Sequence, residues 1–375
     1  MPVDVWESGG LSAVTLEGAA VAARTQNATI HVRRSGSLRL MGVTRDGADV
    51  QRPDPGFGYP MASLAVEADD PLLPVARRLQ ADTVLMSERS AALRGARTGD
   101  VVELEGWNRE VLEFEIARLV PDDELDWYEI VLSEAGAERL GLDRAASLVI
   151  EGRNAPALGS AVRWMVRSSS VRVATPDEPI VFTDPTLPTV MVKERFGEFA
   201  FRPTGLGDGI EIERSWLDAN IVDAYVEELG SFRCNRAMMP YLRSAIADLR
   251  RQGSIDEIDY DDFQIAGGCF NSRMMRGGDK GFALSRHAWG IAIDFNPTSN
   301  PYGGPTELSP EFGDTFRDWG FSWGATWTVP DGMHFEWTGA PEVINACARV
   351  RLVEPTSSSV TWSVQDAQDP ACAER

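Results

Sequence analysis

Apolar residues recur at every second position in short runs through the first half of the chain: Ala28 to Val32 (ATIHV), Val101 to Leu104 (VVEL), Val111 to Ile116 (VLEFEI) and Trp127 to Leu132 (WYEIVL). A period of two puts alternate side chains on opposite faces of an extended chain, so these runs predict strands. Gly, Asp and Pro clusters such as PDPGFGYP separate them, and SERSAALRGARTGD and LSEAGAERLGL read as brief helical turns that each lead into a strand. Residues 1–175 are therefore expected to form a separate β-rich domain. The stretch 174–189, ATPDEPIVFTDPTLPT, holds four prolines, which disfavour helix and central strand alike, and a linker is placed at 176–189.

Beyond the linker the spacing of apolar positions becomes mixed. Asp218 to Leu229 reads as a helix, and Asn235 to Gln252 (NRAMMPYLRSAIADLRRQ) as a longer amphipathic one, with Pro240 near its first turn and Gly253 where a C-terminal cap is wanted. A third helix has clear punctuation: Ser309 as N-cap, Pro310 at N1, Glu311 in the first turn and Gly320 after the end. The expected class is α+β, with a second domain at 190–350 and a tail at 351–375.

Two short runs in this second half display polar groups. In IAIDFN, Ile291, Ile293 and Phe295 share a core face, which leaves Asp294 on the other side with Ala292 and Asn296. In MHFEW, Met333, Phe335 and Trp337 face the core, and His334 and Glu336 are displayed. Two such strands lying side by side bring Asp294 close to His334. His287 precedes the first strand, and Gly290 supplies the bend that returns its imidazole towards Asp294. Two imidazoles and one carboxylate are a ligand set for catalytic zinc, which keeps a further position open and activates water near neutral pH. Asp331, in the Pro330-Asp331-Gly332 turn, is the candidate general base. Arg273 is the candidate cation for a tetrahedral oxyanion, with Arg276 as a substitute, because a guanidinium offers two parallel hydrogen bonds. Glu336 is expected to accept from a ligand imidazole N–H. Each group taken singly has an ordinary explanation in packing or solvation; it is their combination, around an aspartate that burial would penalise, that defines a site. His31 alternates within TIHVRR and reads as a strand residue.

Composition narrows the partners. A formal net charge of −21 repels phosphate backbones and anionic head groups, which argues against nucleic acid. No run reaches the length of about 18 apolar residues that a membrane span needs. The start, MPVDVWESGG, has neither a basic nor an apolar signal region, so either the protein acts in the cytoplasm or its export segment is missing from this sequence. The four cysteines fit no zinc ribbon or CxxC motif. Cys234 and Cys269 are expected to pair and brace the strand before Arg273, leaving Cys347 with Cys372. In a chain of this size four cysteines are two bridges or four buried thiols; it is mainly the function implied by the family resemblance of the two displayed runs that inclines the reading towards two bridges and an exported protein, extracellular or associated with the cell wall.

The pair SRHAWGIAIDFN and DGMHFEW closely resembles the SxHxxGxAxD and (D/E)xxH motifs of the zinc D-alanyl-D-alanine metallopeptidases, over roughly residues 190–350. That family includes D,D-carboxypeptidases, D,D-dipeptidases and L-alanyl-D-glutamate endopeptidases. By this resemblance His287, Asp294 and His334 are zinc ligands, Asp331 is the general base, Arg273 binds the oxyanion, and Ser285 contacts substrate or fixes its loop. The resemblance also implies a small hedgehog-like α+β domain whose antiparallel sheet bears the metal, and a substrate in peptidoglycan stem peptides cut next to a D-amino acid. An aspartate base inclines this towards a larger peptide rather than a free dipeptide. The N-terminal half resembles small β-barrel modules in its GD-plus-strand segments, and no activity is assigned to it. A reading of another class, a wall-binding or regulatory protein that holds zinc without catalysis, would need neither Arg273 nor Asp331.

Overall fold

The computed structural model describes residues 2–340 apart from 8–9, 169, 179–183, 185, 267, 277–280 and 328. Cys347, Cys372, the tail and part of the expected linker lie outside the described residues. Helix and strand are nearly balanced at 30% and 33%, which makes the chain α+β. It divides into two units: the first takes the described residues up to 178 with Leu187–Leu217 and Ser272–Ser285, and the second takes Asp184–Thr186, Asp218–Asn271 and the described residues from Arg286 onward.

In the first unit, β1 (Pro2–Glu7), β2 (Thr29–Arg45), β3 (Ala48–Gln51), β4 (Tyr59–Val66), β5 (Thr83–Ser87), β6 (Val101–Glu105), β7 (Val111–Val120), β8 (Ile130–Ser133), β9 (Ala145–Glu151) and β10 (Val171–Ala174) form one sheet. The order β2-β4-β8-β5-β7-β6 returns to β2 and gives a barrel-like ring. Closure is possible because β2 is 17 residues long: Arg34–Leu40 pair with β4, and Arg39–Thr44 with β6. Alternate residues fill the interior: Leu38 and Leu40 from β2, Val84 and Met86 from β5, Val102 and Leu104 from β6, Phe114 and Ile116 from β7, Ile130 and Leu132 from β8. The period-two signal of the sequence is this inward face. Thr29–Arg34 of β2 pair instead with β9, which leads on to β1 and β10 and shares a second core with helices Ala13–Thr25 and Ala155–Val166. The two expected helical turns form behind serine caps, Ser87 accepting from the Ser90 N–H at 3.2 Å and Ser133 from the Gly136 N–H at 3.1 Å. Helix Thr189–Phe196 is tied to the barrel by the buried Lys193, which donates to Glu129 at 2.8 Å, and a short hairpin of β11 (Phe201–Pro203) and β12 (Ile210–Ile212) follows.

In the second unit, β13 (Ile221–Val226) and β14 (Gly230–Asn235) form a hairpin, while β15 (Ala292–Asp294), β16 (Phe321–Trp323) and β17 (His334–Trp337) form an antiparallel sheet in the order β15-β17-β16. The helix expected over Asp218–Leu229 is replaced: a helix over Arg214–Asn220 gives way to β13. Its Ile, Val and Tyr residues favour an extended chain once a partner is present, and β14 supplies every pairing across the Gly230 turn. The long helix runs Met239–Gln252, because Cys234 and Asn235 belong to β14 rather than to the helix start; Gly253 takes the left-handed cap at φ +80°. Helix Pro310–Asp318 begins as expected, with Ser309 accepting from the Phe312 N–H at 3.1 Å. Cys234 and Cys269 are joined by the expected disulfide. The rings of Phe295, Phe312, Phe316 and Phe335 pack with centroids 4.6 to 5.7 Å apart and make the core behind β15 and β17.

One glycine sets how the chain enters this sheet. Gly290 sits at φ +65°, its carbonyl accepts from the Asn235 N–H at 2.9 Å, and an added Cβ would lie 2.8 Å from that nitrogen. Replacing it with alanine adds left-handed strain of about 1–2 kcal/mol before any clash is counted. Gly290→Ala is expected to lower the urea midpoint of unfolding by at least that much stability; an unchanged midpoint would refute the close approach.

Candidate metal centre and active site

β15 and β17 pair with Asp294 directly opposite His334 and Ala292 opposite Glu336. In that register Asp294 Oδ1 lies 3.0 Å from His334 Nδ1. His287 comes from a 3-10 turn, Arg286–Trp289, that ends at Gly290, and its Nε2 lies 3.2 Å from Asp294 Oδ2. The turn is anchored at both ends. The Asn271 N–H donates to the His287 carbonyl at 3.0 Å, and the Asn235 side-chain amide donates to the Trp289 carbonyl at 2.9 Å. His287 Nδ1 stands 3.0 Å from the Cys269 carbonyl. A carbonyl only accepts, so Nδ1 carries the hydrogen and Nε2 is the atom turned to Asp294. The disulfide to Cys234 braces the residue that provides this carbonyl.

His334 is held from both ends of its ring. Nδ1 faces Asp294, Nε2 faces Glu336 Oε2 at 3.9 Å, and Arg286 Nε donates to Glu336 Oε1 at 3.1 Å. Burial alone would lower the pKa of His334, but its bonds to Asp294 and Glu336 outweigh burial and push it up to about 10, with the charge of Asp331 acting in the same sense. Burial likewise favours a neutral Asp294, yet His287 and then His334 hold its carboxyl well below the usual carboxylate range. Glu336 is kept ionised against burial by Arg286 and His334. The surroundings thus favour positive charge at the point where the rings meet. Donor atoms of His287, Asp294 and His334 all lie within 4.8 Å of one another, and two imidazoles with one carboxylate fit a divalent metal.

The other expected residues are distributed as follows. Asp331 lies in the turn before β17, where its N–H donates to the Gly324 carbonyl at 2.9 Å and its own carbonyl accepts from the His334 N–H at 3.0 Å. Gly324 makes this possible, since a Cβ there would lie 2.5 Å from the Asp331 carbonyl oxygen. Arg273 and Ser285 fall in the first unit; Arg273 bridges to Gly209, and the Ser285 N–H donates to the Arg273 carbonyl at 3.3 Å. Arg276 is there too, 3.8 Å from Asp208. Three features of the centre carried no signal in the sequence: Arg286 as the partner of Glu336, the Cys269 carbonyl, and Trp327, whose ring centroid is 5.3 Å from that of His334. Arg286 stands inside the motif, but its role depends on a glutamate 50 residues away.

Residues 278–337 match the family model described as D-alanyl-D-alanine carboxypeptidase. The match supports the zinc D-alanyl-D-alanine metallopeptidase family and with it a peptidase. The matched stretch contains His287, Asp294, Asp331, His334 and Glu336. No curated protein matches the chain.

A metal entering this centre must displace a proton from His334. Because that proton is held up to about 10, competition weakens steadily as pH rises through neutrality. Apparent affinity for a divalent metal is expected to rise with pH between about pH 6 and pH 8, as a proton is released on binding. Competition against a chromophoric chelator measures this, and an affinity independent of pH would contradict a protonated His334.

Proposed function

We propose that the protein is a zinc-dependent peptidase that cuts amide bonds next to D-amino acids in peptidoglycan stem peptides, as a D-alanyl-D-alanine carboxypeptidase or an L-alanyl-D-glutamate-type endopeptidase. The observation that carries this reading is the pairing of Asp294 with His334 across β15 and β17, with His287 completing the set, inside the stretch that matches the carboxypeptidase family. His287, Asp294 and His334 hold the ion, which supplies Lewis acidity and an activated water near neutral pH. Asp331 receives the proton on a carboxylate oxygen and returns it to the departing amine nitrogen; its charge already acts on His334, so it lies within electrostatic reach of the centre. Glu336 fixes the ring of His334, and Arg286 keeps Glu336 ionised for that task. Arg273, for the oxyanion, and Ser285, for substrate, enter on the sequence motif alone. The antiparallel sheet that carries two of the ligands accords with a hedgehog-like fold. A disulfide suits an oxidising site of action outside the cell, and no described helix is long and apolar enough to cross a membrane.

Incubated with muropeptides and zinc, the purified chain is expected to yield new fragments by mass spectrometry that disappear when a chelator is added. Loss of a terminal D-alanine marks a carboxypeptidase, and an internal cut marks an endopeptidase. Asp331→Asn is expected to retain zinc at this centre while turnover falls by at least about 100-fold, whereas His287→Ala loses both. Muropeptides left intact by the zinc-loaded protein would turn the reading to a wall-binding protein that does not catalyse.

A further inference from the structure

The first unit holds a second convergence of ligand-type side chains. His31 on β2 is only 2% exposed, and among the described residues neither of its ring nitrogens makes a hydrogen bond. A buried ring without a hydrogen bond costs about 1–3 kcal/mol, and what it meets instead is carboxylate oxygen at ion-pair distance. His31 Nδ1 faces Glu67 Oε2 at 3.3 Å and Asp69 Oδ1 at 3.4 Å, and donor atoms of the three residues lie within 4.8 Å of one another.

Glu67 is held in place by the turn that follows β4, which also carries the exposed Asp69. The Val32 N–H donates to Glu67 Oε1 at 3.2 Å, and the Asp70 N–H closes the turn onto the Glu67 carbonyl at 3.2 Å. Asp70 is itself committed to the Arg33 guanidinium at 2.7 and 2.8 Å, which leaves Glu67 and Asp69 as the donors turned to His31. Among the described residues no arginine or lysine pairs with either of them. Glu67 and Asp69 also line a cleft of about 440 Å³ together with Ser133 and Glu134.

We propose that His31, Glu67 and Asp69 bind a second divalent transition-metal ion, which ties β2 to the turn after β4. One imidazole with two carboxylates suits zinc or a neighbouring first-row ion better than calcium, which prefers an all-oxygen shell. His31 Nε2 lacks the kind of acceptor that Cys269 and Glu336 give to the histidines of the other centre, so this site is the weaker of the two and fills second. The proposal does not rest on the peptidase reading.

Full-length protein stripped with chelator and then dialysed against zinc is expected to retain two ions per chain by elemental analysis. His287→Ala, which removes the other centre, is expected to retain one. Adding Asp69→Ala to that background weakens the remaining site at least about tenfold, and adding His31→Gln abolishes it. Asp69 is exposed, so its replacement leaves folding intact and decides the matter even if His31→Gln does not fold. No zinc on His287→Ala, or a remaining ion indifferent to Asp69→Ala, would overturn the proposal. So would calcium bound as tightly as zinc and unaffected by His31→Gln, because the imidazole would then not be a ligand.

Discussion

Asp294 is a carboxylate wedged between two imidazoles, and the second unit is organised around keeping it charged. Burial works against that charge, and only the combined pull of His287 and His334 overcomes it. Desolvating an ion without partners costs several kcal/mol, so both rings must be fixed before the carboxylate can be placed there. They are fixed by different devices. His334 is brought to Asp294 by sheet register, since a slip of one residue would turn it and Glu336 to the opposite face. His287 has no strand to hold it. Its turn depends on the left-handed Gly290, on the backbone of Asn271 and on a carbonyl beside a disulfide.

From this pair outward the charges alternate. Arg286 faces Glu336, Glu336 faces His334, and His334 faces Asp294, with His287 on the far side. Such a chain is a poor way to stabilise a fold, because well-packed apolar side chains of similar volume often do as well or better. The aromatic core behind the same strands already provides that packing. A buried series of such groups is better accounted for as a device that sets protonation and ring orientation at a cluster that could hold a metal.

The parts of the molecule that were legible in the sequence are those decided by local periodicity. Alternation marked runs that fall in β2, β6, β7 and β8 and put Asp294 and His334 on the displayed face; capping chemistry named Ser309 and Pro310. What failed depended on the pairing between runs rather than on the period within one. IVDAYV is extended because β14 pairs with it, and its apolar residues taken alone fit a helix nearly as well. Closure of the barrel rests on β2 pairing with β9, β4 and β6 along successive parts of its length, which no window of residues reveals. The Cys269 carbonyl is invisible for a simpler reason: every residue has a carbonyl, and only the fold selects one.

His31 and His334 show how this limit bears on sites. Both stand on strands within apolar alternation, and both face carboxylates. At His334 the principal carboxylate lies on a neighbouring strand whose own alternation marks Asp294 as displayed, so two periodic signals intersect at one point. At His31 both carboxylates lie in the turn beyond β4, where no period exists to say which way a side chain points. A ligand set written on paired strands can be inferred from sequence, whereas one completed by a turn shows itself only through the geometry of the folded chain, here through a buried ring whose Nδ1 is turned towards two acids without a hydrogen bond to either.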